Sequence, residues 1–181
     1  GHDGNSGPRD IIYVDLSRSL YPDKALCNTE IHIWYKDYFL VSLVPWRLAL
    51  HGMADANWWC WHANHRFSNT VGSSESMHAL SIPALDIRRL YNPYVHAVAN
   101  KKNRVATLFQ DVVAGRSWGL VDILRYQIAP AQYSIGVQPF YATETTIRNG
   151  VLKDFDILVA GEASYVKDAT YDSVLEFAQN G

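Results

Sequence analysis

The chain has 181 residues, of which 48% are hydrophobic and 19% charged, enough apolar material for one or two domains with packed cores. Lys and Arg number 16 against 18 Asp and Glu, a balance that points away from nucleic acid or an anionic membrane and leaves a neutral partner as the better fit. Cys27 and Cys60, each inside an apolar run, make neither a disulfide framework nor a thiolate metal site, and both are expected as buried thiols.

Asp10 followed by Ile11, Ile12, Val14, Leu16 and Leu20 spaces apolar residues along one face of a helix, closed by the turn Tyr21-Pro22-Asp23-Lys24. The run ALCNTEIHIW is apolar at both parities, which suits a parallel strand buried between layers. Residues 38–52 (YFLVSLVPWRLALHG) read as a helix that carries Pro45 and stops at Gly52, and MADANWWCW as a second buried strand. The Ser- and Asn-rich residues 63–84 are expected to form a long loop, with a helix over roughly 85–100 after it. Lys101, Lys102 and Asn103 read as a linker. Beyond it RVATLFQ, YSIGVQPFY and DFDILVAGEA read as strands, and SWGLVDILRYQI and ATYDSVLEFAQNG as helices. Alternating helix and strand predicts an α/β fold in two domains, 1–100 and 101–181, the second an open α/β sheet. No stretch reaches the length of a membrane span, and the opening GHDGNSGP has no leader-like basic and apolar regions, so the sequence is silent on location.

Glu30 stands where the apolar run of the first strand ends, the carboxyl end at which α/β barrels place catalytic groups. Strict alternation puts Leu26, Asn28, Glu30 and His32 on one face, with Cys27 and Thr29 turned toward the surrounding helices. In the second strand Asn57, Trp59 and Trp61 share a face, and Trp61 at its end flanks the same mouth as Glu30. A carboxylate beside an aromatic platform outlines a sugar site, because Trp stacks on the C–H face of a ring as well as packing cores. The consecutive aromatics Trp58 and Trp59 are expected to pack, and for Trp61 packing and binding are evenly matched. Without context, a strand-end carboxylate is more commonly paired with a neighbouring Arg or Lys, and the flanking segments are what favour a nucleophile at Glu30. His32, His62 and His65 lack the spacing and the carboxylates of a zinc site, so no metal is expected. Gly115, Gly119 and Gly136 make no phosphate-binding pattern, so no nucleotide is expected in the second domain, and Asp86, Arg88 and Arg89 read as a solvated helix face.

The segment PDKALCNTEIHIW, the helix containing WRLALHG, and MADANWWCWH resemble the seventh strand, seventh helix and eighth strand of clan A glycoside hydrolases, where the nucleophile Glu ends strand seven. RVATLFQD, a helix, and then YATETTIRNGVLKDFDILVAGEASYVKDATYDSVLEFAQNG look like the amidotransferase-like domain that follows the barrel in the β-galactosidase architecture of glycoside hydrolase family 42 and its relatives. The resemblance implies the C-terminal part of a (β/α)8 TIM barrel over 1–100 and a truncated flavodoxin-like or amidotransferase-like α/β domain over 101–181, one that supports trimer contacts. It implies a retaining β-glycosidase with a carbohydrate substrate, no cofactor, and Glu30 as the nucleophile. Trp61 is carried over as the strand-eight aromatic, while Trp59, His32 and Asn28 are set at the substrate by parity alone. In this clan the acid/base Glu ends strand four, outside this chain, so the chain by itself is expected to be inactive. Two other readings are a non-catalytic carbohydrate-binding or scaffold protein, and a flavodoxin-like small-molecule binder built on the second domain.

Overall fold

The computed structural model describes residues 11–32, 38–59, 74–111, 118–161 and 165–180, without the side chains of Glu30, His32, Trp59, Asn92, Trp118 and Leu120. The chain divides into two compact units, with the junction between Lys101 and Lys102 and a short excursion, Ser19–Pro22, that belongs with the second unit. Both units carry parallel strands connected through helices, an α/β fold.

In the first unit the order is α1 (Ile11–Leu20), β1 (Leu26–His32), α2 (Tyr38–Leu50), β2 (Met53–Trp59), α3 (Ser74–Leu90), a π-helical turn (Tyr91–Val95) and α4 (His96–Ala99). β1 and β2 pair in parallel across the α2 crossover. α2 buries Val41, Val44, Leu48 and Ala49, a stripe at helical spacing, and Val41 meets Leu80 of α3 with Trp58 of β2 packed against both. Trp58 is therefore a packing residue. Gly52 ends α2 in the left-handed region at φ +88°, the conformation that calls for glycine, and a Cβ there would lie 3.1 Å from Cδ of Arg18.

Two expectations need correction here. The polar stretch read as loop up to residue 84 is helical from Ser74, and α3 runs on to Leu90. Its buried positions, Ser76, Leu80 and Pro83, keep helical spacing, but a serine and a proline stand where apolar helix formers signal a core face. Cys27 is an exposed thiol, not a buried one. It lies in the wall of a 240 Å³ cleft between α1 and β1, lined also by Ile11, Val14 and Thr29, so α1 does not close over that part of the strand. Cys60 lies outside the described residues.

A buried charge cluster fastens the edge of this unit from which β2 starts. Asp15 on α1 is fully buried, its carboxylate 2.8 Å from Nδ1 of His51 just after α2 and 3.8 Å from the Arg18 guanidinium. Arg18 in turn donates to the main-chain oxygen of Ala99 at the end of α4. Three helices are thus joined through one carboxylate.

The second unit contains β3 (Val105–Phe109), α5 (Trp118–Ile123), a π-helical stretch (Leu124–Ile128), α6 (Ala129–Ser134), β4 (Phe140–Thr143), α7 (Glu144–Arg148), a 3-10 turn (Val151–Asp154), β5 (Ile157–Val159) and α8 (Asp168–Asn180). The three strands are parallel in the order β4-β3-β5, with uninterrupted register from Ala106↔Phe140 to Phe109↔Thr143 and from Val105↔Ile157 to Thr107↔Val159. β3 sends Ala106 and Leu108 into a core with Ala142, Ile147 and Leu152, against which Phe140, Phe155, Val174 and Phe177 pack. Thr107 faces the other way, where it accepts a 2.9 Å hydrogen bond from Nε2 of the buried Gln132 on α6. Helices therefore cover both faces, the condition that lets a parallel sheet form.

The predicted strand YSIGVQPFY is mostly something else. Tyr133 and Ser134 end α6, Gly136 turns the chain at φ +75°, and the amide of Val137 donates back to the carbonyl of Gln132, so strand begins only at Phe140. The helix α7, unanticipated in the sequence, starts at Thr143, whose hydroxyl accepts from the Thr146 amide while the Thr146 hydroxyl accepts from the Thr143 amide.

Candidate functional site

The candidate site of the first unit is the carboxyl edge of β1 and β2. The pairing there is irregular: Asn28 stands opposite Ala56, yet Ile31 stands opposite Trp58, so three steps along β1 match two along β2. The extra residue falls in the Thr29–Glu30 stretch. A bulge of this kind increases local twist and re-aims the strand, and bulges concentrate beside active sites. A second irregularity lies between Leu26 and Cys27.

These shifts correct the alternation used to group the site residues. Strict period two puts Asn28 and His32 on one face, but Asn28 pairs with Ala56 and His32 with Trp59, and those two residues have opposite parity in β2. Ile31, paired with Trp58, is completely buried. Asn28 is half-buried and contributes to the wall of the cleft between α1 and β1. Glu30 lies on β1 within the irregular stretch, and His32 and Trp59 are the last residues of their strands and register partners. The backbone therefore brings His32 and Trp59 together at the carboxyl edge, two residues beyond Glu30. Their side chains, and all of Trp61, lie outside the described residues.

The second unit has a polar cluster that the sequence reading missed, also at the carboxyl edge of its sheet. Glu144 follows β4 and is completely buried, and its Oε2 accepts a 3.3 Å hydrogen bond from the main-chain amide of Lys167 just before α8. Among the described residues, Oε1 of Glu144 and the hydroxyl of the buried Thr170 have no hydrogen-bond partner. Asp111 follows β3, and its carboxyl is held above the ordinary 3.8, first by desolvation and then by the negative charge of Glu144, against the opposing pull of Lys167 and Arg148. Two acidic residues after neighbouring strands could have suggested this cluster, since open parallel sheets bind ligands beyond their carboxyl ends. Among the described residues no three His, Cys, Asp or Glu gather as a metal would require, and no helix is long and apolar enough to cross a membrane.

No protein-family model and no curated protein matches the sequence. Among solved structures, the apo exo-carrageenase of glycoside hydrolase family 42 from Bacteroides ovatus aligns over 94% of this chain with a TM-score of 0.71 at 15% sequence identity. The chain covers 25% of that enzyme's length. The chain thus shares the fold of a quarter of a family 42 glycoside hydrolase.

Proposed function

We propose that this chain is part of a retaining β-glycosidase of the β-galactosidase-like type, with Glu30 as its nucleophile. In this reading residues 1–100 are the C-terminal part of a (β/α)8 barrel, and residues 101–181 an amidotransferase-like domain of the kind that supports trimers. The observation that carries it is the position of Glu30: a carboxylate residue at a bulged strand end, next to a strand ending in Trp59, in a chain folded like a quarter of a family 42 enzyme.

The chemistry follows from the residue type. The Glu30 carboxylate attacks the anomeric carbon as the glycosidic bond breaks, and a glycosyl ester forms. Water then cleaves the ester with overall retention. The residue that protonates the leaving oxygen and later deprotonates the water is a second carboxyl group about 5 Å away, on a strand outside this chain. Trp61 and Trp59 offer flat apolar faces to a sugar ring, and His32 and Asn28 offer hydrogen bonds to its hydroxyls.

The test is made in the full-length protein. A 2-deoxy-2-fluoro β-galactosyl substrate, which slows ester hydrolysis, should leave a sugar on the peptide containing Glu30, and Glu30→Gln should abolish turnover while sugar binding persists. Labelling of a different carboxylate, or substantial residual turnover in Glu30→Gln, would remove the assignment. Because the structural neighbour is an exo-carrageenase, carrageenan oligosaccharides belong in the substrate panel beside simple β-galactosides.

A further inference from the structure

The second unit contains a groove of about 660 Å³ that no part of the glycosidase reading uses. It runs between the α7–3-10 segment and the C-terminal half of α8. Its apolar surface comes from the half-buried Phe155 and Phe177, with Ile147 and Leu152 nearly fully buried behind them. Its volume is in the range of small-molecule sites, and its lining is more polar than that of most, with charged side chains around the two phenylalanines.

The charges at the rim are unequal. Arg104 pairs with Asp156, and that pair is internally neutral. Arg148 and Lys153 also line the groove, and among the described residues neither forms an ion pair; nor does Glu176 opposite them. Arg148 spends its Nε–H on the carbonyl of Glu144 and one terminal amino group on the Thr145 hydroxyl. Part of its charge offsets the carbonyl end of α7. Lys153 has no such role among the described residues, so it is the less committed of the two cations.

We infer that this groove binds a small amphipathic carboxylate, its aryl or alkyl body lying on Phe155 and Phe177 and its carboxylate facing Lys153 and Arg148. An apolar floor rewards burial in proportion to area. Apart from the Arg104–Asp156 pair, the described rim carries two cations and one anion, an excess that favours a monoanion over a neutral molecule of the same shape. The groove is open to solvent, so binding is weak.

Phenylbutyrate and its neutral counterpart phenylbutanol are suitable probes, titrated against the full chain by calorimetry and by chemical-shift mapping. Saturable binding of phenylbutyrate is expected, with phenylbutanol weaker by about fivefold, the scale of an exposed charge contact. Lys153→Glu should weaken the acid and spare the alcohol. Ser173→Leu, which adds a bulky side chain to the α8 wall of the groove, should abolish binding of both, with the melting midpoint of each variant confirming the fold. Absence of saturable binding, equal affinity for acid and alcohol, or binding that survives both substitutions would each overturn the inference.

Discussion

The two parallel sheets of this chain treat their registers differently. β3 holds a constant register with both neighbours, and its buried residues alternate between an apolar core and a Thr107–Gln132 hydrogen bond. β1 breaks register twice within seven residues, and Ile31 is buried where strict alternation would group it with Cys27 and Thr29, both exposed. A regular ladder maximises pairing and packing. An irregular one gives up part of that stability, and the places where a protein does so are disproportionately sites that must aim a side chain. In the proposed reading, the difference separates a unit organised around its core from one whose irregular strand end serves Glu30.

The largest expected effect tests that distinction directly. In the full-length protein Glu30→Gln should reduce turnover by a factor on the order of 10³ or more while leaving the melting midpoint unchanged, as the proposed role of nucleophile requires. A fall in stability with little loss of activity would make Glu30 a structural carboxylate and erase the contrast between the sheets.

Next is the buried cluster of the first unit. Asp15→Ala leaves His51 and Arg18 without their shared carboxylate and should cost about 3–5 kcal/mol in denaturant unfolding, with loss of exchange protection in the first unit ahead of the second. Simultaneous loss in both would mean that the units unfold as one. In the second unit Ile147→Ala opens a cavity in the core and should cost about 2–4 kcal/mol, with protection lost first in β3 and β4.

The smallest effect concerns Asp111. Its folded carboxyl binds a proton more tightly than the unfolded one, so its contribution to stability is complete below the unfolded value of 3.8 and is lost as pH rises through the raised folded value. Asp111→Asn should remove that pH step and leave the protein slightly more stable at neutral pH, by less than about 1 kcal/mol for a side chain this exposed. A variant less stable than wild type at neutral pH would show that the charge is useful to the fold.

Much of the secondary structure was legible because it follows local rules. The stripe Val41, Val44 and Leu48 marks α2 and Gly52 marks its end. RVATLFQ reads directly as β3. Where local signals mislead, the cause is identifiable. Ser76 and Pro83 conceal the buried face of α3, and Tyr133-Ser134-Ile135 looks like strand because β-formers also end a helix when the next residue is a glycine free to turn left-handed. The site was harder to read than the fold. Glu30 stands out as an acid ending an apolar run, but parity cannot be carried from Asn28 to His32 through a bulge that leaves no composition signal. Glu144 went unnoticed because a buried carboxylate after a strand looks, in sequence, like any first-turn acid of a helix.

The sequence by itself determined the alternation of helix and strand, the acid near the end of the first strand and the near-neutral charge, since these rest on periodicity and composition. Only the tertiary structure decided the register of β1 against β2, the exposure of Cys27, and the meeting of Asp15, Arg18 and His51. Each depends on residues distant in the chain, and pairing and burial are properties of neighbours that no local pattern specifies.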